Sequence, residues 1–343
     1  MQRTPSNPTP TLWTTGLEGR LLRHSARMPP ELVARASAQC GVLTTSQLYA
    51  AGVTQRELLR LVRAGILRSV RRGVFVNASL WGAWSADDRY RALVVGTLLC
   101  SDRDVVASHE SAAVLLGLAH LGPWPDLVHV TVPPASGSRH SGKVRRHAAV
   151  LHGGSVTTRC GFRVTTPART AVDLARGRGF RVAVVTLDCA LRFGDASKDE
   201  LIGVLSGCAG WPGASAAKRA VAFADARSES VGESVSRVVL AEQGLAPDDL
   251  QHQLFSARGF VGRSDFWWEA ARTVGEFDGK VKYGAFDPAK DPREVLWEEK
   301  KREDRIRDLN VQVVRWTWWD LEHPDGWLRR LRSALARGRR FAA

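Results

Sequence analysis

Between residues 30 and 77 the sequence carries helix start and stop signals in quick succession, and this feature limits the fold more than any other. Thr44 with Gln47, and Thr54 with Glu57, follow the capping-box pattern, in which side chains three residues apart satisfy the first backbone amides of a helix. Each of the three predicted helices ends on a glycine, namely Gly41, Gly52 and Gly65. Two strand-like runs on either side of the Arg72-Gly73 pair then predict a hairpin. Three short helices and a hairpin predict a winged helix-turn-helix.

The third predicted helix, residues 54 to 65, has the composition of a DNA-reading helix. Leu58, Leu61 and Val62 form an inward stripe, which leaves polar side chains on the opposite side. Gln55 and Arg56 lie at the helix start, where glutamine can pair with adenine and arginine with guanine in the major groove. The arginines of the helix and hairpin that suit phosphate contacts are Arg60, Arg63, Arg68, Arg71 and Arg72. The alternative is that this unit contacts protein and that its arginines are only solvated.

The net charge of the chain favours a polyanionic partner. The 343 residues carry a formal charge of +14, and the sequence pI is about 10.3. Such a charge attracts nucleic acid over a Debye length, so DNA is the leading partner. A coding bias toward arginine and alanine would produce the same charge, and the motifs therefore have to decide.

Cysteine usage and hydrophobicity indicate a reducing, aqueous compartment. The five cysteines lie far apart in the sequence without a CxxC pair, which disfavours a zinc ribbon and a disulfide framework. No apolar run approaches the roughly 20 residues that cross a bilayer, and the N-terminus lacks a hydrophobic signal core. We therefore expect a cytoplasmic protein that does not associate with membranes.

The length of the chain predicts more than one domain, because a single core rarely grows this large. Residues 1–27 lack periodicity and are predicted to be a disordered leader. The winged helix is assigned to residues 28–80, a mixed α/β middle domain to 81–209, and a third domain to 217–343. A stretch rich in Gly, Pro and Ser near residues 207–216 is the expected linker. The predicted fold class is thus α+β and multidomain.

Two strand-like segments in the last third of the chain carry acidic residues. They read GRSDFWW and VGEFDGKVKY, and the short turn between them predicts a hairpin that brings Asp265 beside Glu276 and Asp278. Because side chains alternate along a strand, Glu276, Asp278 and Lys280 are expected on one face. Aromatic neighbours should bury the hairpin, and a buried carboxylate is costly unless it is paired or binds a metal.

A divalent cation would make closely spaced carboxylates tolerable, since like charges a few ångströms apart resist joint ionisation. Mg²⁺ prefers hard oxygen ligands, and the residues assigned to it are Asp265, Glu276 and Asp278. Bound there, Mg²⁺ could polarise a phosphodiester and activate water, with Lys280 stabilising the developing charge. Glu233 is a further catalytic candidate, although Ser230 and Glu233 also match a capping box that explains the glutamate without catalysis. The other interpretation is a solvated acidic strand face.

The first half of the chain resembles the AbiEi-type antitoxins, which repress the operon of a type IV toxin-antitoxin system. The resemblance lies in GVLTTSQLYAAGVTQRELLRLVRAGILRSVRRGVFVN and continues through SHESAAVLLGL, VHVTVP and GFRVTTPARTAVDLA, in all over about residues 30–190. It implies a DNA-binding repressor whose partner is a cognate toxin.

The last third resembles the PD-(D/E)XK nuclease fold in the form found in very short patch repair endonucleases. Those domains show a glutamate on a helix, an aspartate on a strand, a strand reading E-x-D-G, and later an Arg-rich helix that leads into a strand. The counterparts here are Glu233, Asp265, Glu276 with Asp278 and Gly279, and the run KKREDRIRDLNVQVVRWTW. The motif can be read as Glu276-Phe277-Asp278, with aspartate where lysine is expected, or as Asp278-Gly279-Lys280. In the first register the role of lysine passes to Lys280, Lys300 or Lys301, or is absent.

Two functions of different classes follow from these patterns. In the first, the protein is a Mg²⁺-dependent DNA endonuclease with a DNA-reading front end. In the second, it is a non-catalytic transcriptional repressor or antitoxin with a degenerate nuclease fold.

Overall fold

A computed structural model of the chain describes residues 28–101, 105–257, 259–279 and 309–342. The described residues form a mixed α+β structure with three sheets, which confirms the predicted α+β class. They divide into two compact units. The first contains the described residues up to Thr186 together with Phe193–Val221, and the second contains Leu187–Arg192 together with the described residues from Ala222 onward. The predicted leader, residues 1–27, lies outside the described residues.

The first unit begins with helices and a small sheet. Its elements are α1 (Pro30–Ala38), β1 (Val42–Thr44), α2 (Thr45–Ala50), α3 (Gln55–Arg63), β2 (Leu67–Arg71) and β3 (Val74–Asn77). Thr44 and Thr54 form the predicted capping boxes at the starts of α2 and α3. Gly52 and Gly65 follow the ends of these helices with φ of +84° and +66°, a conformation that residues with a Cβ rarely adopt. The three predicted helices and the hairpin are therefore confirmed.

Strand β1 is a component that the sequence patterns did not predict. It pairs antiparallel with β3, with Val42 opposite Val76, and gives the strand order β1-β3-β2. A strand of three residues is too short to show a clear alternation, and here all three residues are buried. The strand forms since pairing with β3 satisfies its backbone and since its side chains enter the core.

The rest of the first unit surrounds a six-stranded sheet. The helices in this part of the chain are α4 (Ala78–Ala83), α5 (Ala86–Leu99), α6 (His109–Leu116), α7 (Pro167–Gly177), α8 (Phe180–Arg192), α9 (Lys198–Gly207) and α10 (Ala214–Phe223). The end of α8, Leu187–Arg192, and the last two residues of α10 belong to the second unit. The strands of the six-stranded sheet are β4 (Val106–Ala107), β5 (Val128–Val132), β6 (Arg139–Ser141), β7 (Val144–Ala148), β8 (Val156–Arg159) and β9 (Phe162–Thr165). The strand order is β6-β7-β5-β4-β9-β8. Helix α7 begins at Thr166-Pro167, and the hydroxyl of Thr166 accepts from the amide of Arg169.

The small sheet and the six-stranded sheet share one core. Val42 and Val76 of the small sheet, Val94 of α5 and Val130 of β5 belong to the same buried cluster. Residues 28–80 and most of 81–209, which the sequence assigned to separate domains, therefore lie in one compact unit. Apolar side chains of β1 and β3 are buried in part by the middle sheet.

Two cysteines that are remote in the sequence are neighbours in the first unit. The sulfur atoms of Cys40 and Cys160 lie 4.0 Å apart, and both residues have positive φ in turns. Cys40 precedes β1 and Cys160 occupies the β8–β9 turn, so the fold brings together two turns that are remote in the sequence.

The second unit is built on a four-stranded sheet. Its elements are α11 (Val231–Glu242), β10 (Asp249–Ser256), β11 (Gly259–Trp268), β12 (Thr273–Phe277), β13 (Gln312–Trp316), α12 (Trp318–Glu322) and α13 (Pro324–Ala342). The strand order follows the chain. The β10–β11 and β11–β12 pairs are antiparallel, and the β12–β13 pair is parallel. The predicted β11–β12 hairpin is confirmed, with Trp267 opposite Val274. Helix α13 buries Leu328, Leu331 and Leu335, which recur at helical spacing on one side of the helix.

Among the described residues, every helix is too short or too polar to cross a membrane.

Candidate nucleic-acid surface and acidic site

Helix α3 presents one polar side to solvent. Leu58 is buried, and Leu61 and Val62 pack against the same cluster, so the predicted inward stripe is confirmed. The exposed residues on the other side are Gln55, Arg56, Arg60 and Arg63. Glu57 also lies here, and two hydrogen bonds with Thr54 lower the pKa of its carboxyl. One oxygen of that carboxylate is held at the helix start, and Leu59 is also exposed, so the groups that α3 offers to an anionic ligand are one amide and three guanidinium groups.

The β2–β3 hairpin adds three arginines to this surface. Arg68 and Arg72 are exposed, and the Arg68 guanidinium lies 5.2 Å from the centre of the Trp81 ring. A flat aromatic face beside a guanidinium restrains its orientation without removing its charge. Arg71 is half-buried, and its Nη1 has no hydrogen-bond partner within the part of the chain that is described. A buried donor of this kind gains most from an anionic ligand.

The second unit brings three acidic side chains together. Glu233 lies in the first turn of α11, Asp265 near the end of β11 and Glu276 on β12. Asp265 Oδ2 accepts a hydrogen bond of 2.8 Å from the Phe277 amide, which holds its carboxylate against β12. Glu276 pairs with Arg315 of β13 at 2.9 Å.

Close packing of α11 on β12 positions Glu233. A Cβ on Gly232 would lie 1.9 Å from a ring carbon of Phe277, so only glycine lets the helix approach this strand. Ser230 caps the helix by accepting from the Glu233 amide at 3.1 Å. The Glu233 carboxylate does not complete the predicted capping box, because it accepts instead from the Glu229 amide at 2.7 Å and from Gln251 at 2.9 Å. The side chain is thereby turned toward Asp265.

The surroundings of this acidic site disfavour the ionised form of its carboxyl groups. Burial, together with the neighbouring carboxylates of Glu233 and Glu276, raises the pKa of Asp265 to about 7, against the opposing effect of the Phe277 amide. Burial also raises the pKa of Glu233. Two carboxyl groups with raised pKa values side by side mean that one proton, or one cation, stabilises the arrangement.

Of the remaining residues predicted for the acidic site, only Asp278 is among the described residues. Asp278 follows the end of β12 and is exposed, while its backbone amide donates to the Trp316 carbonyl at 2.8 Å. Lys280, Lys300 and Lys301 lie outside the described residues. Two contributors were missed by the sequence patterns, namely Gln251 and Arg315. No local signal identifies them, because their roles arise from sheet register.

Two segments of the chain match models of AbiEi antitoxin domains. Residues 30–78 match the model described as "Transcriptional regulator, AbiEi antitoxin". Residues 105–222 match the model described as "AbiEi antitoxin C-terminal domain". The predicted AbiEi-type resemblance is thus confirmed, and it covers the helices and hairpin that carry the arginines. The acidic site lies beyond residue 222, outside both matched segments.

Similar full-length proteins come from Mycobacterium tuberculosis. "Uncharacterized protein Rv2248" of strain H37Rv and "Uncharacterized protein MT2308" of strain CDC 1551 are each 33% identical to this chain over 153 residues. The alignment covers 45% of this chain and 52% of either relative, so the chain spans about half the length of the curated relatives it matches. This chain was also aligned with the crystal structure of the RV2827C protein from the same organism. The alignment covers 71% of this chain and 89% of that protein, at 15% identity and a TM-score of 0.34.

Proposed function

We propose that this chain is a DNA-binding transcriptional repressor of the AbiEi antitoxin type, with a cognate toxin as its protein partner. The observation that carries the proposal is the set of exposed guanidinium groups on α3 and the β2–β3 hairpin, within residues that match a transcriptional-regulator model. The arrangement of α2, α3 and hairpin suits a winged helix-turn-helix. The toxin partner is proposed from the matches to AbiEi antitoxin domains alone.

In this proposal α3 enters the major groove of DNA with its N-terminal turn toward the bases. Gln55 and Arg56 are the base-reading residues, because only the first turn of such a helix reaches the base edges. The residues assigned to phosphates are Arg60, Arg63, Arg68, Arg71 and Arg72. Their contacts would be independent of sequence and would release counterions from the DNA. The hairpin contribution includes Arg71, whose Nη1 a phosphate oxygen would satisfy.

The phosphate-contact assignment predicts a change in salt dependence. Replacing Arg60, Arg63 and Arg72 together by alanine is expected to make the negative slope of log K against log salt shallower by about 3, since each lost phosphate contact removes about 0.9. The measurement is fluorescence anisotropy with a duplex from the chain's own promoter region at several salt concentrations. Arg219→Ala, an exposed arginine of α10, is the matched control and should leave the slope unchanged.

Arg56→Ala separates base reading from phosphate binding in the same assay. It is expected to cost roughly 1–3 kcal/mol on the cognate duplex and little on an unrelated duplex. Wild-type affinity for DNA in the triple variant would remove α3 and the hairpin from the binding surface and overturn the proposed repressor.

A second candidate function is a Mg²⁺-dependent endonuclease in the last third of the chain, and the site of Glu233, Asp265 and Glu276 favours it. Carboxylate oxygens are the donors that Mg²⁺ prefers, and the raised pKa of Asp265 marks a place where a cation would relieve repulsion. Mg²⁺ bound by these residues would supply Lewis-acid chemistry at a phosphodiester. Arg315 neutralises Glu276 and would have to share it with the metal. The PD-(D/E)XK fold, Asp278 as a ligand and Lys280 as the catalytic lysine remain part of this second proposal.

Asp265→Asn tests the endonuclease. Nicking of supercoiled plasmid with Mg²⁺ is expected from the unaltered protein and is expected to fall to background in the variant. The same variant should be more stable above pH 7 and equally stable near pH 4. Folding raises the pKa of Asp265, so its protonated form contributes stability below the pKa of the unfolded chain, and this stability is lost as the pH rises toward 7. Asparagine does not titrate, so the variant does not lose this stability. Equal nicking by both proteins would identify a contaminating nuclease and exclude this site.

A further inference from the structure

Three histidines meet inside the first unit, far in sequence from the arginine surface. His109 is the first residue of α6, His129 lies on β5 and His147 lies on β7. One ring nitrogen of each lies within 4.8 Å of the others. Nδ1 of His129 is 3.0 Å from Nε2 of His147, and the rings of His109 and His147 stack with centres 3.9 Å apart.

Sheet register brings this cluster together. Strands β5 and β7 are parallel with Thr131 opposite His147, so His129, two residues before Thr131, shares the face on which His147 lies. The alternate residues Val128, Val130 and Val132 are buried in the apolar core on the other face. Helix α6 covers the polar face, and His109 enters it with a φ of +51°, a conformation uncommon for histidine.

The surroundings keep these imidazoles neutral. Burial is the main cause that lowers the pKa of His109 well below its ordinary value and that of His147 to about 4. Burial likewise lowers the pKa of His129, against the opposing effect of Glu110. The histidines also disfavour charge on one another, and nearby arginines add to this effect. Neutral imidazole is the form that binds metal ions, because its unprotonated nitrogen offers a lone pair.

A buried carboxylate beside the cluster supplies a second observation. Glu110 is 1% exposed, and its Oε1 is paired with Arg178. Its Oε2 lies 3.6 Å from His129 Nδ1 and has no hydrogen-bond partner within the described parts of the chain. Buried oxygens without partners are uncommon in folded proteins. The nearby Arg169 is neutralised by Asp173 at 2.8 Å, so it does not leave an unpaired positive charge at this face.

We propose that His109, His129 and His147 bind one Zn²⁺ ion, with Glu110 as the carboxylate beside it. Three imidazoles with one further position are a known zinc arrangement, and zinc bound at about 2.0–2.1 Å places ligand nitrogens about 3.3 Å apart. The 3.0 Å separation of His129 Nδ1 and His147 Nε2 needs only a small expansion to reach that spacing. The His109 ring, which stacks on His147, has to turn out of the stack so that its lone pair points at the ion. The ion would tie the start of α6 to β5 and β7. The site is separate from the proposed DNA surface, and its test does not depend on DNA binding.

The experiment uses the full chain after removal of metal by a chelator. Titration calorimetry with Zn²⁺ is expected to show one site per chain, and Co²⁺ is expected to give the visible absorption of a four-coordinate site without thiolate ligands. His129→Gln and His147→Gln should each weaken Zn²⁺ binding about 100-fold or more. Glu110→Gln should weaken it roughly tenfold, because it removes the negative charge beside the Nδ1 of His129 that would bind the ion. His323→Gln, an exposed histidine of the second unit, is the matched control.

Several outcomes would overturn the site. If the folded, unaltered chain takes up no Zn²⁺, the three histidines are a hydrogen-bonded part of the core and not a metal site. If the Co²⁺ spectrum shows thiolate absorption, cysteine binds the ion and the histidine site is wrong. Equal weakening by His323→Gln would show surface binding only. Because the Co²⁺ spectrum is recorded on the unaltered chain, the result stands even if a histidine variant fails to fold.

Discussion

Arg237→Ala is expected to destabilise the second unit by about 3–5 kcal/mol, the usual cost of leaving one member of a buried ion pair behind. Arg237 of α11 pairs with Asp188 at 2.7 Å, and the side chains are 9% and 1% exposed. The guanidinium also donates to the Phe223 carbonyl at 2.7 Å and lies 4.7 Å from the Phe223 ring centre. Burial raises the pKa of Asp188, so the ionised carboxylate depends on Arg237.

Calorimetric melting of the variant measures this cost, and the transition of the second unit should fall by about 10 °C or more. The deficit should shrink as the pH is lowered, because a protonated Asp188 needs no counterion. The double variant Asp188→Leu with Arg237→Met should recover most of the loss, since an apolar pair of similar volume leaves no buried charge.

Arg330→Ala is the matched control for Arg237→Ala. Arg330 pairs with Asp320 at 3.1 Å but is 56% exposed, so its loss should cost less than about 1 kcal/mol. Similar losses in the Arg237 and Arg330 variants would contradict the role assigned to the buried pair.

Trp316→Ala is expected to cost a further 3–5 kcal/mol in the same unit, as large buried aromatic truncations do. Trp316 is 1% exposed and stacks on Trp327 of α13 with ring centres 4.7 Å apart. Its Nε1 donates to the Ser236 hydroxyl of α11 at 2.7 Å, so one side chain contacts two helices. A Cβ on Gly275 would lie 2.5 Å from the Trp316 ring, which shows how closely the indole covers β12.

The measurement is urea unfolding followed by far-UV circular dichroism, which does not depend on the indole that is removed. Trp316→Phe keeps most of the apolar contact and should lose less than the alanine variant. Trp319→Ala is the control, because Trp319 is 64% exposed and its loss should change stability by no more than about 0.5 kcal/mol. An unfolding midpoint for Trp316→Ala equal to that of Trp319→Ala would refute a central role for this ring.

Sequence patterns predicted the local elements well where the chain itself supplies the partners. The capping boxes at Thr44 and Thr54 formed because donor and acceptor are three residues apart and need no other part of the molecule. The β11–β12 hairpin was predicted for the same reason. Periods of two and of 3.6 residues already determine which side chains share a face.

The clusters of charged and polar groups were only partly predictable. Alternation and the resemblance to nuclease domains singled out Asp265 and Glu276, yet the neighbouring Gln251 depends on how β10 pairs with β11. The histidine cluster escaped prediction altogether, although the VHVTV strand places His129 on the face opposite three buried valines. A polar residue alternating with valine on a strand is usually taken as facing solvent, and only the helix laid over that face shows that it is buried.

The sequence by itself determined where helices start, where the hairpins turn and which arginines share the exposed side of α3, since all of these depend on neighbours within about four residues. Only the tertiary structure decided that the small N-terminal sheet shares a core with the middle sheet, that Asp265 meets Glu233, and that three histidines converge. Those contacts join residues far apart in the chain. Their formation depends on burial of apolar surface by several elements at once, which no local pattern encodes.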